Sequence, residues 1–264
     1  MSDRIRKAFG GARRPALVTY LMGGDPDLAA SLDLAAACAW GGADLIELGM
    51  PFSDPIADGP VIQRASERAL KSGTTVAGVI ELAAQLRQQF PSLPVALMGY
   101  FNPVLAMGLD DFLRRCAAAG VDAVILPDLP VEESAELRQL ARKHGVGTVF
   151  LIAPTSTPAR AQAALDASTA FAYFVSVTGV TGARAALPEE TAARLDALRR
   201  PSGPPVVVGF GVSSAEQVRA LGAHADGVVV GSAIVSRIAE PGTADERRER
   251  VTTFVHSLRP SATP

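Results

Sequence analysis

The feature that most constrains this chain is a strict alternation of two textures. Short runs rich in β-branched and other apolar residues fall at 16–21, 43–48, 94–98, 122–126, 147–152, 170–176, 205–208 and 227–230. Longer Ala- and Leu-rich amphipathic runs lie between them, among them 28–40, 61–71, 110–119, 131–144, 189–199 and 215–221. A strand that is apolar throughout must be covered on both faces, and β–α alternation forces crossover connections, so the pattern predicts a parallel sheet wrapped in helices. Eight units of similar length favour closure into a (β/α)8 TIM barrel over the runner-up, an open doubly wound sheet. The length of 264 residues suits one such barrel, read as a single domain over 1–264 with 260–264 as a loose tail.

A weak internal echo supports repetition. Gly42-Ala43-Asp44, Gly120-Val121-Asp122 and Gly222-Ala223-His224-Ala225-Asp226 each join a helical run to the next strand. Each reads as a glycine helix stop, a short turn carrying Asp, then a buried strand.

Composition narrows the function. With 48% apolar residues, 20% charged residues and a formal charge of −2, the chain is suited to a large core. It lacks the concentrated Lys and Arg by which proteins grip nucleic acid or membrane surfaces, and the Arg-rich stretch 4–14 is short and broken by Gly10 and Gly11. No run approaches the roughly 18 apolar residues of a membrane span. Basic residues followed by residues 15–22 imitate a secretion signal, but Gly23-Gly24-Asp25-Pro26 reads as a turn, and a cytoplasmic setting is expected. Cys38 and Cys116 sit in helical stretches without metal or disulfide spacing.

Chemistry in such a barrel belongs at the C-terminal ends of the strands. The lysines, Lys7, Lys71 and Lys143, fall before the first strand or at helix ends, which disfavours imine chemistry. His144, His224 and His256 fall at the bottom or outside, which disfavours a His-ligated metal, and none is expected. Carboxylates remain. Glu47 lies near the end of the second strand between Ile46 and Leu48, as a buried ion-pair partner or as a catalyst. Asp54 and Asp58 follow in a proline-stiffened loop and Asp128 follows the fourth strand; each is either a turn or helix cap or a working acid.

The glycines mark an anion site. The seventh strand runs into Gly209-Phe210-Gly211-Val212-Ser213-Ser214, and the eighth into Gly231-Ser232 at the start of a short helix. Glycines let backbone N–H groups approach an anion, and a helix N-terminus adds a favourable dipole. Phosphate binding after these two strands recurs in this fold. Gly179-Val180-Thr181-Gly182 after the sixth strand could add a further N–H, and Ser213 or Ser214 could simply cap the following helix.

The run Glu47-Leu48-Gly49-Met50-Pro51-Phe52-Ser53-Asp54-Pro55-Ile56-Ala57-Asp58-Gly59-Pro60 resembles the signature of the tryptophan synthase α chain family. Asp128-Leu129-Pro130-Val131-Glu132-Glu133, Gly179-Val180-Thr181-Gly182 and Gly209-Phe210-Gly211 are similar to its further motifs, so the resemblance spans most of the chain. It implies retro-aldol cleavage of indole-3-glycerol phosphate to indole and glyceraldehyde 3-phosphate, with Glu47 and Asp58 as the catalytic pair. It also implies Tyr173 near the reacting centre, Tyr20 and Tyr100 lining the indole pocket, and Gly182, Gly211, Gly231 and Ser232 holding the phosphate. A β subunit carrying pyridoxal phosphate is the implied partner, in an α2β2 assembly, with no cofactor in this chain. One departure is Val177, where the family often has Arg; Arg184 is nearby in sequence. The rival readings are a stand-alone indole-3-glycerol-phosphate lyase, a mainly regulatory partner of the β subunit, and another phosphosugar enzyme on the same fold.

Overall fold

The computed structural model describes residues 1–10, 15–175, 188–200, 202–209 and 211–259. The elements run α1 (Asp3–Gly10), β1 (Ala16–Met22), α2 (Leu28–Trp40), β2 (Leu45–Gly49), α3 (Pro60–Lys71), α4 (Val76–Gln89), β3 (Val95–Met98), α5 (Phe101–Met107), α6 (Leu109–Ala118) and β4 (Ala123–Ile125). They continue through a 3-10 turn (Val131–Glu133), α7 (Ala135–His144), β5 (Gly147–Val149), β6 (Leu151–Ile152), α8 (Pro158–Ala167), β7 (Ala172–Val175), α9 (Glu189–Leu198), β8 (Val206–Gly209), α10 (Ala215–Gly222), β9 (Gly227–Val230), α11 (Ser232–Ala239) and α12 (Ala244–Ser257).

The strands are parallel, in the order β5-β4-β3-β2-β1-β9-β8-β7-β6. The two ends of that order, β5 and β6, are consecutive in the chain and separated only by Phe150. They are two segments of one stave, so the sheet closes on itself as a (β/α)8 barrel. Phe150 stays in the wall, its carbonyl accepting from the Tyr173 N–H at 3.0 Å. Both faces are buried, as the unbroken burial of β1, β2, β8 and β9 shows. Outward residues such as Leu17, Leu48, Leu97 and Val208 pack under the helices. Inward residues such as Val18, Leu45, Ala123, Ile125, Val149, Phe171, Val207 and Val229 fill the barrel, joined by Ile5 and Phe9 of α1. Phe9 meets Phe171 at a ring distance of 5.6 Å, so α1 plugs the N-terminal end and only the other end stays open.

The sequence echo has a physical basis. The carboxylates of Asp44, Asp122 and Asp226 accept the backbone N–H of Leu17, Val95 and Val206, at 2.8, 2.9 and 2.9 Å. Each Asp also gives its own N–H to the carbonyl of that same residue, at 2.8 Å in all three cases. The neighbouring strand is therefore gripped at its first or second N–H, near the start of the ladder. Arginines neutralise the grips: Arg259 on Asp44, Arg87 and Arg4 on Asp122, and Arg199 on Asp226. Gly42 and Gly120 take positive φ, as expected of helix stops. Gly222 instead ends α10 as a helical residue, and its lack of a side chain makes room for Pro15.

The run 131–144 was expected as one helix and is two pieces. The 3-10 turn ends at Ser134, whose Oγ donates to the Val131 carbonyl at 2.7 Å, and α7 starts afresh at Ala135. The expected tail, 260–264, lies outside the described residues. Among the described residues no helix is long and apolar enough to cross a membrane.

Candidate active site

The open end of the barrel holds a cavity of about 450 Å³, a size typical of small-ligand sites. Tyr20, Glu47, Met98, Ile125, Leu151, Tyr173, Val175 and Val229 line it from the strands, and Asp58, Gly211, Gly231 and Ser232 from the loops.

Glu47 enters because β2 alternates: Ile46 and Leu48 point outward to the helices, so the residue between them points in. Register sets it beside Tyr20 of β1 and Ala96 of β3. It is 1% exposed, and its Oε2 has no hydrogen-bond partner among the described residues. Burial, reinforced by the nearby Asp58, pushes its pKa from 4.5 up to about 8. A carboxylic acid so placed keeps its proton at neutral pH.

Asp58 approaches from the loop between β2 and α3. Neither Asp54 nor Asp58 caps α3: the N-cap is Gly59 with Pro60 at the first turn, and no side chain caps it. The loop is held by other means. Ser66 Oγ of α3 accepts the Phe52 N–H at 2.9 Å and donates to its carbonyl at 2.8 Å. Gln63 Nε2 donates to the Asp58 carbonyl at 2.9 Å. Arg68 of α3 clamps the buried Asp25 through Nε and Nη2, both at 2.7 Å. Asp58 itself is half-buried. Burial pushes its pKa from 3.8 to about 6, opposed by the nearby Tyr100 hydroxyl. At neutral pH the cavity therefore carries one protonated and one ionised carboxyl, an arrangement suited to acid–base work. Asp54 is exposed and bonded to Ser53.

The tyrosines divide. Tyr20 and Tyr173 line the cavity, and each hydroxyl lies over a glycine of the next strand. A Cβ on Gly49 would stand 2.3 Å from Tyr20 Oη, and one on Gly209 would stand 2.5 Å from Tyr173 Oη. Burial first, then the two carboxylates, raises both phenols well above the ordinary value, so they stay protonated. Tyr100 stands at the start of α5, against the loop that carries Asp58. Its hydroxyl accepts the Ala57 N–H at 3.0 Å, and its ring leans on Phe52 at 5.4 Å. β3 ends at Met98, which takes the inward place, whereas Tyr100 is already the N-cap of α5.

At the glycine-rich end, Gly231 is the N-cap of α11 and Ser232 its first residue, so the positive end of that helix meets the cavity. Gly211 completes this wall with φ +70°, a conformation natural to glycine. Ser214 caps α10 by accepting the Gln217 N–H, and Ser213 bonds the Gln217 side chain. Gly182, with the rest of its motif, Val177 and Arg184, lies outside the described residues. Asp128 is neither free nor catalytic in placement: both its oxygens accept the Phe101 N–H that opens α5, at 2.9 and 3.0 Å.

None of Lys7, Lys71 and Lys143 lines the cavity. His144 pairs with Asp110 and His224 with Asp196, both away from it. The residues that sequence reasoning passed over are the apolar wall, Met98, Ile125, Leu151, Val175 and Val229. Their signal was present, since each is an inward position near a strand end, in phase with Glu47 across the register.

Comparison with known proteins agrees with this geometry. Residues 8–262 match the sequence model of the family described as "Tryptophan synthase alpha chain". A curated tryptophan synthase alpha chain from Geobacter sulfurreducens is 48% identical over 246 residues, 93% of this chain and 92% of that one. Among solved structures, tryptophan synthase subunit alpha from Legionella pneumophila superposes with a TM-score of 0.87 at 33% identity, covering 98% of both chains. A chain from a structural study of mutual activation in the tryptophan synthase α2β2 complex of Pyrococcus furiosus superposes at 0.86 with 40% identity, covering 93% of this chain and 98% of that one. The chain described here belongs to the tryptophan synthase alpha chain family.

Proposed function

We propose that this chain cleaves indole-3-glycerol phosphate to indole and glyceraldehyde 3-phosphate by carboxylate acid–base chemistry. The observation that carries the reading is Glu47: a buried carboxylic acid with an unpartnered oxygen, in a small apolar-walled cavity, facing a second carboxylate that ionises at lower pH. Indole is apolar and matches Met98, Ile125, Leu151, Val175 and Val229, and the phosphate matches Gly211, Gly231 and Ser232. Gly182 is assigned to the phosphate as well, by family resemblance.

Breaking the C–C bond requires a proton on the indole ring carbon that leaves, since that carbon would otherwise carry the electron pair. Glu47 supplies it. The protonated ring then bears positive charge, which makes its N–H more acidic, and ionised Asp58 stabilises that charge by accepting from the N–H. The C–C electrons move into the ring as the glycerol hydroxyl becomes a carbonyl, and the hydroxyl proton returns to Glu47. Each such step is worth about 10²–10⁴-fold, and none requires a metal, an imine or a cofactor held by this chain. Tyr173 and Tyr20 keep water from the reacting centre.

The same reading includes a pyridoxal-phosphate β subunit as partner, in an α2β2 complex in the cytoplasm. Ile56, 84% exposed, and Leu105, 56% exposed, stand on the loop and helix that carry Asp58 and Tyr100, and offer an apolar rim for it. The test is to incubate the purified chain with indole-3-glycerol phosphate, alone and with a tryptophan synthase β subunit. Indole and glyceraldehyde 3-phosphate in equal amounts, formed faster with the partner, are expected; no indole under either condition would overturn the assignment.

A further inference from the structure

Tyr20 lies across one wall of the cavity and is seated at both ends by glycines. At its base, a Cβ on Gly231 would stand 3.2 Å from Tyr20 Cβ and 3.3 Å from the edge of the ring. At its tip, Oη fills the place of a side chain at Gly49, 2.3 Å from where that Cβ would stand. Gly49 is two residues beyond Glu47 on β2, so it faces the cavity in the same phase. The hydroxyl therefore stands one step closer to the mouth than Glu47. Its neighbours there are Met22, whose Sδ lies 3.1 Å from the same point, and the Gly49 carbonyl, which already accepts the Gly23 N–H at 2.9 Å. Among the described residues the Tyr20 hydroxyl has no hydrogen-bond partner, although the residue lines the cavity.

Strand order says what passes this hydroxyl. β1 lies between β9, which runs into Gly231 and Ser232, and β2, which carries Glu47. Two strand spacings, about 9.5 Å, separate β9 from β2. A substrate with its phosphate at one and its breaking bond at the other takes the shortest path by laying its linker over β1, along the Tyr20 ring. The linker of indole-3-glycerol phosphate carries hydroxyls on two carbons. The one beside the indole ring gives its proton to Glu47 in the cleavage reaction. The one on the middle carbon is unchanged by the reaction and has no partner in that scheme. We propose that Tyr20 is a specificity-determining residue: its hydroxyl hydrogen-bonds the middle hydroxyl of the linker and so selects a hydroxylated three-carbon chain over a bare one. A phenol and an alcohol each carry a donor and acceptor lone pairs, so either can donate. The assignment rests on the proposed cleavage reaction and adds the part of the substrate that the carboxylates and the glycines leave unread.

The experiment uses the full chain, with Glu47→Gln as the background so that the ligand is not consumed. Affinities are measured by calorimetry with Tyr20 intact and with Tyr20→Phe added. The ligands are indole-3-glycerol phosphate and indole-3-propanol phosphate, which differ only in the linker hydroxyls. Phenylalanine keeps the ring between its glycines and removes only Oη. Tyr20→Phe should weaken the glycerol ligand about fivefold to tenfold, the size of one lost neutral hydrogen bond, and leave the propanol ligand within a factor of about two. Equal losses for both ligands, or no loss for either, overturn the proposal. In the chain with Glu47 intact, Tyr20→Phe should lower kcat/KM by a similar factor, chiefly through KM, because the middle hydroxyl is the same in substrate and transition state. A loss that falls on kcat alone places the contact at the reacting carbon and overturns the assignment. A chain that binds neither ligand overturns the cleavage reading and this inference with it. A chain that shows the ligand-selective loss yet makes no indole overturns the cleavage reading and supports the contact.

Discussion

Replacing Glu47 by Gln should change how the stability of this protein depends on pH, and the size of the change follows from its burial. In the folded chain the carboxyl is 1% exposed and its pKa is displaced from 4.5 to about 8. Below pH 4.5 the group is protonated in both folded and unfolded chains and contributes no pH dependence. Between 4.5 and about 8 the unfolded chain releases the proton while the folded chain keeps it, so folded stability falls as pH rises. Above about 8 both states are ionised and the loss levels off. At about 1.4 kcal/mol per pH unit, the interval corresponds to roughly 5 kcal/mol, on the order of a third or more of the stability of an ordinary domain. Glutamine cannot ionise and lacks this loss. Urea unfolding of wild type and Glu47→Gln from pH 4 to pH 9 should therefore show the variant gaining stability relative to wild type with rising pH, mostly across that interval. Parallel curves for the two proteins would mean that Glu47 ionises normally in the fold, and would remove the basis for calling it an acid at neutral pH.

Three further outcomes are expected. Indole formation should rise with pH through about 6 as Asp58 ionises and fall through about 8 as Glu47 loses its proton; a rate flat from pH 5 to 9 would contradict both assignments. Asp122→Ala should cost about 3–5 kcal/mol in urea unfolding, because it strands Arg87 and the Val95 N–H at the closed end of the barrel, yet leave the Michaelis constant unchanged. Gly49→Ala should lower cleavage at least tenfold by driving Tyr20 from a hydroxyl position 2.3 Å from the new Cβ, at a strain on the order of 1–3 kcal/mol; Tyr20→Phe should recover part of that loss, and no recovery would place the fault elsewhere.

What was legible in the sequence was what depends on short-range pattern. The alternation of strand and helix runs, the place of Glu47 near the end of the second strand and the glycines that end β8 and β9 are local properties, and each stands in the structure where the pattern put it. The echo of glycine and Asp was visible as repetition, but its purpose was not. A grip between Asp122 and Val95 joins positions 27 residues apart, and only the register of the closed sheet brings them together. The same holds for the site. By residue type alone Asp54, Asp58 and Asp128 were alike, and in the sequence only the family resemblance singled out Asp58. Burial, Tyr100 and the Phe101 N–H tell them apart. Tyr100, assigned to the indole pocket by the resemblance, is the N-cap of α5, and local propensity just past a strand end does not say whether such a residue faces the cavity or starts the next helix. The loop that carries Gly182 falls outside the described residues, so its part in phosphate binding rests on family resemblance.

The central claim is that Glu47 gives the proton that releases indole. It is tested most directly by the rate of indole formation at pH 7 and saturating indole-3-glycerol phosphate, measured for wild type and for Glu47→Gln shown by circular dichroism and glycerol phosphate binding to keep its fold and phosphate site. The account predicts a loss on the order of 10²–10⁴-fold in turnover, with phosphate affinity within a factor of about two. A folded Glu47→Gln that turns over at the wild-type rate would contradict it.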